Sequence, residues 1–391
     1  MRPIHNAMCR AQYLFMAGIY IHIPFCKKKC IYCDFYSIAA NPAVVDEYVS
    51  ALCREAELRK EELAGDSVRT VYLGGGTPSL LSAQHLERLT DGLRKVFDFG
   101  GVEEFTIEVN PDDVSEELVG LFSRLGINRV SMGVQSFVDE ELKFLNRRHD
   151  AAQAIRAYDV ITSGGIGNVS IDLIYGIPGQ TLYSWQQSLD QAMQMQPKHI
   201  SCYNLTYEEG TRLYRLLEKG NIREVHDEEC IAMYEQMIDV LASHGYEHYE
   251  ISNFALPGYH SRHNSSYWDK SPYLGLGASA HSYVGGTRYY NTSNARAYIS
   301  EIGQGRIVAE AEEESVSERY DEEVLLRLRT NRGIDAAMLR DTYGEPYYSH
   351  FMSEVRQFVA SGLIENTGSV YRLSRKGVML SDMVIRELMY V

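Results

Sequence analysis

The chain reads as an α/β protein, an incomplete parallel barrel followed by a smaller helical, winged-helix-like appendage. Three observations predict this. From residue 19 onward, short β-branched or apolar runs alternate with longer segments of helical period, the pattern of βα units laying down a parallel sheet. The runs number six, fewer than a closed barrel of this type contains. The 391 residues exceed what six units require, and the texture of the sequence changes near residue 301.

Taken in order, the expected strands span residues 19–24, 70–73, 104–109, 129–133, 170–175 and 199–204. Their near-continuous apolar runs suit strands covered on both faces. The expected helices span 46–63, 82–97, 115–125, 151–161, 182–195 and 227–243, with polar or capping residues near their starts. The reading divides the chain into an N-terminal extension (1–15), a barrel (16–300) and a C-terminal module (301–391). The module opens with an acidic patch at 310–314 and continues with two helical stretches, a hairpin around 364–373 and a final helix. Modules of this shape often bind DNA, but the acidic approach favours packing or protein interaction instead.

Composition narrows the function classes. Hydrophobic residues make up 45% and charged residues 23%, an ordinary globular balance that excludes collagen-like or disordered chains. Lys and Arg number 38 against 53 Asp and Glu, a formal charge of −15, so nucleic acid is not expected as a partner. No run approaches the roughly 18 apolar residues that a membrane span needs, and no continuous signal-peptide core is present. A cytoplasmic protein is expected, meeting membranes only through a partner. Of seven cysteines, Cys26, Cys30 and Cys33 crowd together, which suits metal ligation in a reducing compartment better than disulfides. Cys9, Cys53, Cys202 and Cys230 stand alone and read as ordinary thiols.

In such barrels, the residues that do chemistry sit where strands end and loops begin. Those expected ends carry Cys26, then Gly74, Gly75, Gly76 and Thr77, then Glu108 and Asn110, then Gln135, Asp172 and the stretch from Asn204 to Thr206. The loop Cys26-Lys27-Lys28-Lys29-Cys30-Ile31-Tyr32-Cys33 offers three thiolates for three irons of a [4Fe–4S] cluster and leaves one iron open to a ligand. The rival is a zinc knuckle, which wants four ligands and finds only His22 nearby.

With this spacing and the Gly-Gly-Gly-Thr-Pro segment, the sequence resembles the radical S-adenosylmethionine (SAM) superfamily. The resemblance implies a radical-SAM barrel in which the amino and carboxylate groups of SAM chelate the open iron. One electron then splits SAM into methionine and a 5′-deoxyadenosyl radical. It further implies SAM contacts at Tyr20, Tyr32, Gly75, Gly76, Thr77, Glu108, Gln135, Arg147, Asp172 and Thr206. Glycine lets a backbone approach the ligand, acidic groups accept from ribose hydroxyls or the ammonium, and Arg147 can pair with a carboxylate. Lys27 to Lys29 could guide an acidic flavodoxin or ferredoxin, or be simply a solvated basic loop.

From Met16 to the end, the chain is similar to the oxygen-independent coproporphyrinogen III oxidases, through the motifs around Tyr20, Tyr72, Gly133 and Ile171. Two features depart from those oxidases. They carry a further cysteine where this chain has Phe35, and they have a longer N-terminal segment. Both departures match the HemW haem chaperones. A third match is His263-Asn264-Ser265-Ser266-Tyr267-Trp268, similar to a motif associated with haem in that group. A neutral imidazole can ligate haem iron, and Tyr267 and Trp268 offer flat apolar surface. The stretch from Leu274 to Ser282 also resembles the group. Residues 1–15 have no counterpart in it, which suggests Met16 as the natural start, a disordered extension before it, and no function for His5 and Cys9.

The resemblance therefore implies a haem chaperone, without coproporphyrinogen dehydrogenase activity, that delivers haem to respiratory proteins. The alternatives are coproporphyrinogen III dehydrogenase, which decarboxylates propionates with the deoxyadenosyl radical, and a radical-SAM enzyme acting on another substrate.

Overall fold

The computed structural model describes residues 16–63 and 66–390; the expected extension, with His5 and Cys9, lies outside them. All six expected strands are present: β1 (Met16–Ile23), β2 (Ser67–Gly75), β3 (Glu104–Val109), β4 (Arg129–Gln135), β5 (Asn168–Tyr175) and β6 (His199–Asn204). Neighbours pair in parallel in this order. Their inward and outward faces are both buried, which is why the runs are apolar without alternation.

The sheet does not stop at six. It continues through β7 (Glu247–Glu250), β8 (Asn253–Ala255), β9 (Tyr273–Leu276), β10 (His281–Val284), β11 (Thr287–Asn291) and β12 (Ala309–Glu312). The spatial order is β12-β11-β10-β9-β1-β2-β3-β4-β5-β6-β8-β7. Strand β9 runs parallel to β1, with Tyr20 opposite Gly275, while the strands beyond it and beyond β6 are antiparallel. Among the described residues the two end strands, β12 and β7, are not paired to each other, so the barrel is open.

The outer layer comprises α1 (Pro42–Arg59), α2 (Ala83–Val96), α3 (Glu116–Leu125), α4 (Asp139–Phe144), α5 (Ala151–Ser163), α6 (Leu182–Met195), α7 (Arg212–Glu218) and α8 (Asp227–Ser243). Helix α1 starts four residues before the expected 46. Asn41 caps it by accepting from the Ala43 amide, and proline occupies the first turn. Two further helices, α9 (Arg262–Trp268) and α10 (Ala295–Gly303), belong to the same body.

The texture change at 301 falls inside α10, and the acidic patch forms β12, paired with β11. The main sheet thus runs through Glu312. Beyond it, α11 (Val316–Leu328), β13 (Ile334–Asp335), α12 (Ala336–Tyr343), α13 (Glu345–Ala360), β14 (Ile364–Thr367), β15 (Val370–Leu373), α14 (Arg375–Val378) and α15 (Ser381–Leu388) form the C-terminal module. It has its own core, built on Tyr320, Val324, Phe351, Val355 and Leu388. It docks on the barrel through backbone bonds from Ile251 N to Arg329 O (3.0 Å) and from Asn331 N to Tyr249 O (3.0 Å).

Candidate functional site

The cysteine loop begins where β1 ends. Phe25–Cys26 pairs in parallel with Ile38–Ala39, so the segment between them is closed at its base. Ile31 pins the loop from within: it is buried against Leu145, Ile174, Ile177, Leu205 and Leu213. Its amide donates to Leu145 O (3.4 Å), and its carbonyl accepts from Leu213 N (2.8 Å). The three cysteines around it carry no disulfide, and all three line one cavity of about 480 Å³. Cys26 Sγ accepts from Thr77 Oγ1 (3.5 Å) and Cys30 Sγ from Arg147 Nη1 (3.3 Å). Burial pushes the Cys33 thiol up to about 11. Among the described residues, no group of three or more His, Cys, Asp or Glu side chains is arranged to hold a single metal ion.

The opposite walls come from the expected strand ends. Tyr32, Gly75, Gly76, Thr77, Glu108, Gln135, Arg147, Asp172 and Thr206 all line this cavity. Tyr20 does not; it lines a neighbouring cavity described below. Gly75 has φ +107°, and a Cβ there would lie 2.6 Å from the His22 ring. Its amide donates to Glu108 Oε2 (3.0 Å), while the Tyr72 hydroxyl donates to Oε1 (2.8 Å). Burial, opposed by those bonds and reinforced by the charge of Asp172, lifts Glu108 to about 7. Burial likewise lifts Asp172 to about 6.

Arg147 donates to Asn110 Oδ1 (2.6 Å) and Gly133 O (2.5 Å), and its Nε is buried without a partner. Several cavity residues were not among the expected contacts: Asp112, Arg148, Ser131, Asn146 and Tyr203. The Asn146-Arg147-Arg148 run was the available signal for two of them, because adjacent charges after a helix mark a polar turn. Of the basic loop, Lys27 is ion-paired with Asp113 (2.7 Å), Lys29 donates to Phe35 O (3.3 Å), and Lys28 lines the cavity.

His263 lies on α9. Ser261 caps this helix, and the buried carboxylate of Glu104, at the start of β3, accepts from the Arg262 and His263 amides (2.9 and 3.0 Å). An anion at these amides favours the helix start. The imidazole is fully buried and both nitrogens are engaged, Nδ1 with Thr70 Oγ1 (2.8 Å) and Nε2 with the Tyr267 hydroxyl (2.9 Å). It stacks on Tyr72 and Tyr20, and burial drives its pKa down to about 3. Neither nitrogen is free for iron in this arrangement. Gly18 is required beside it, since a Cβ would lie 3.1 Å from the ring and 2.9 Å from Thr70 Oγ1. Tyr267 lines the neighbouring cavity; Trp268, half-buried, lines neither.

That neighbouring cavity, of about 400 Å³, is walled by Tyr20, Phe35, Tyr36, Tyr267, Tyr273 and Tyr283. Residues 20–192 match the radical SAM superfamily model and residues 315–380 the HemN C-terminal domain model. The chain is 36% identical to the heme chaperone HemW of Bacillus subtilis over 94% of its own length and 98% of the relative's. The chain belongs to the HemW family. It is also 38% identical to the Escherichia coli heme chaperone HemW, over 68% of this chain and 70% of that one. In fold it resembles the E. coli coproporphyrinogen III oxidase HemN, with a TM-score of 0.83 at 23% identity over 98% of this chain and 92% of that one.

In this HemW-family chain, Phe35 is the wall common to both cavities and is 64% exposed. Backbone strain gathers here too. Five non-glycine residues among those described have left-handed φ; Gln135 and Asn146 line the first cavity, and Lys270 and Ser279 the second. Such conformations persist where the surrounding structure fixes them, commonly at ligand sites. Among the described residues no helix is long and apolar enough to cross a membrane.

Proposed function

We propose that this chain is a haem chaperone that carries a [4Fe–4S] cluster and SAM in the first cavity and passes haem to respiratory acceptor proteins. One observation supports the reading above others: a three-cysteine cavity and an aromatic cavity share a wall at Phe35. The donor set fits the cofactors. Three thiols line one cavity, a buried guanidinium has an unpartnered Nε, and the Gly75 and Gly76 backbone leaves no side chain in the way.

Cys26, Cys30 and Cys33 would hold three irons, and the bound cluster and SAM would supply one-electron chemistry at the fourth. Arg147 balances the negative charge of thiolates and pairs with a ligand carboxylate. Glu108 and Asp172 accept from hydroxyls or an ammonium group, and a cation arriving beside Glu108 pulls off its proton. Gln135 at the end of β4, Thr206 just past β6 and Tyr32 on the cysteine loop itself would contact the bound SAM. The His263 network holds Tyr72 and Tyr267 in place at the boundary of the two cavities. An acidic flavodoxin or ferredoxin would approach on the Lys28 side.

Anaerobically reconstituted protein tests the reading. It should bind hemin stoichiometrically, pass it to an apo-acceptor and leave coproporphyrinogen III unconverted in the presence of SAM and a reductant. Robust formation of protoporphyrinogen IX would make the chain a dehydrogenase and overturn the proposal.

A further inference from the structure

The helix that carries His263 ends against the C-terminal module. Helix α11 packs on α9, and its Glu322 and Leu326 line the aromatic cavity together with Tyr267. The two residues that follow Trp268 are both charged, and the module holds both. Asp269, the C-cap of α9, pairs with Arg327 (3.5 Å) and Arg332, and Lys270 pairs with Glu322 (2.8 Å) and Glu323 (3.2 Å). Lys270 has a left-handed φ of +53°, a conformation that persists where its surroundings fix it. The same stretch closes off the imidazole. His263 Nε2 is hydrogen-bonded to the Tyr267 hydroxyl (2.9 Å), and the Tyr267 ring meets Tyr273 edge-on, with centroids 4.7 Å apart. An iron reaches Nε2 only after Tyr267 has turned away. The ring then competes with the porphyrin for the same cavity of about 400 Å³ unless the α11 wall draws back.

Resting on the haem-chaperone reading, with the aromatic cavity as the seat of the porphyrin and His263 meeting its iron, we propose that Asp269 and Lys270 are the clasp of a latch. Their ion pairs to the C-terminal module hold the chain closed, and parting of this contact frees His263 and opens the cavity for loading and delivery. Charge suits a contact that must release. The pairs are partly exposed, with the Lys270 side chain 18% and the Arg332 side chain 61% accessible, and such pairs contribute little one by one. The module need not leave, because the uncharged backbone bonds at Ile251 and Asn331 still tether it. Where only the open state takes hemin, the apparent affinity is the intrinsic one scaled by the open fraction, so a weaker clasp strengthens uptake. A side chain that merely touched the porphyrin would act in the opposite sense. Asp269 and Lys270 are thus positioning residues, acting on His263 through Tyr267.

The test combines hemin titration and stopped-flow uptake by the full chain with hydrogen exchange of the ligand-free chain. Lys270→Gln and, separately, Arg332→Gln each remove one arm of the clasp, while Glu322 keeps Arg288 and Asp269 keeps Arg327. Each variant is expected to take up hemin roughly three- to tenfold faster and more tightly than the wild type. Each should also raise exchange in residues 262–268 and 316–328 together. Lys270→Arg, which keeps the charge, should stay near the wild type. Uptake that is unchanged or weaker in both glutamine variants would overturn the latch, and so would exchange in α9 that stays at the wild-type level. If neither the wild type nor the variants take up hemin, the chaperone reading falls instead, whereas exchange rising in both helices would still mark α11 as the restraint on α9.

Discussion

Glu108 illustrates how a single carboxyl reports on the site. Its native pKa is raised to about 7 by burial, so between its ordinary value and about 7 the folded chain holds a proton that the unfolded chain has released. The folded form is then favoured at the acid end of that window, and this contribution is lost as pH rises through about 7. Glu108 thus adds a falling slope from pH 5 to pH 7 to denaturant melts of the ligand-free chain, superimposed on the opposite slope from buried histidines such as His263 and His149, whose pKa values are lowered. Glu108→Gln should remove the falling component, an amount on the order of a few kcal/mol across the window. A slope of the same steepness in the variant would locate the proton elsewhere.

His263 makes a different demand. Its replacement by alanine leaves Thr70 Oγ1 and the Tyr267 hydroxyl with lost partners and opens a void between Tyr72 and Tyr20. The expected cost is about 2–4 kcal/mol in a urea melt. Gly18→Ala should act on the same ring from the strand side, and a smaller loss of about 1–3 kcal/mol is expected from overpacking.

At the level of elements, the cysteine loop depends on Ile31. The side chain is buried among residues from four different segments, and its backbone ties the loop to α4 and α7. Ile31→Ala should destabilise the loop by about 2–5 kcal/mol locally. Reconstituted variant should then hold less iron and sulfide per chain and be cut faster by protease within residues 27–37. Iron content equal to the wild type would show that the thiols organise the loop unaided.

What was legible in the sequence also divides by element. Strands β3 and β6 and helices α6 and α8 fall on their expected limits, because long apolar or periodic segments carry their own signal. Strands β7 to β12 went unread because they are three to five residues long and rich in tyrosine, glycine and charge, and because the strands that anchor them to the sheet, β1 for β9 and β6 for β8, lie far back in the chain. Helix α9 was hidden for a related reason. Its capping carboxylate, Glu104, lies 159 positions before His263, so no local window contains both. Most of the lining of the first cavity was legible because its residues follow the order of strand ends. The second was not, since Tyr20, Phe35, Tyr283 and His281 share no spacing and meet only when β9 adds beside β1.

On the scale of the whole molecule, the C-terminal module helps to build the second cavity, contributing Glu322 and Leu326 from α11. Glu322 ties it to the barrel by bridging Lys270 and Arg288. Glu322→Gln should loosen the junction, destabilising it by about 1–3 kcal/mol and raising hydrogen exchange in α11 while leaving the module's core protected. Exchange unchanged in α11 would mean that the backbone bonds at Ile251 and Asn331 suffice.

Among the described residues, Phe35 stands where the loop that bears the thiols meets the tyrosine-lined chamber. A ring touching two compartments cannot be displaced by a guest in one without altering the room offered by the other. Thermodynamic reciprocity then requires that whatever factor a first occupant imposes on the second, the second imposes in equal measure on the first. Were cofactor and haem to occupy these two cavities as proposed, Phe35 would be the side chain through which each senses the other.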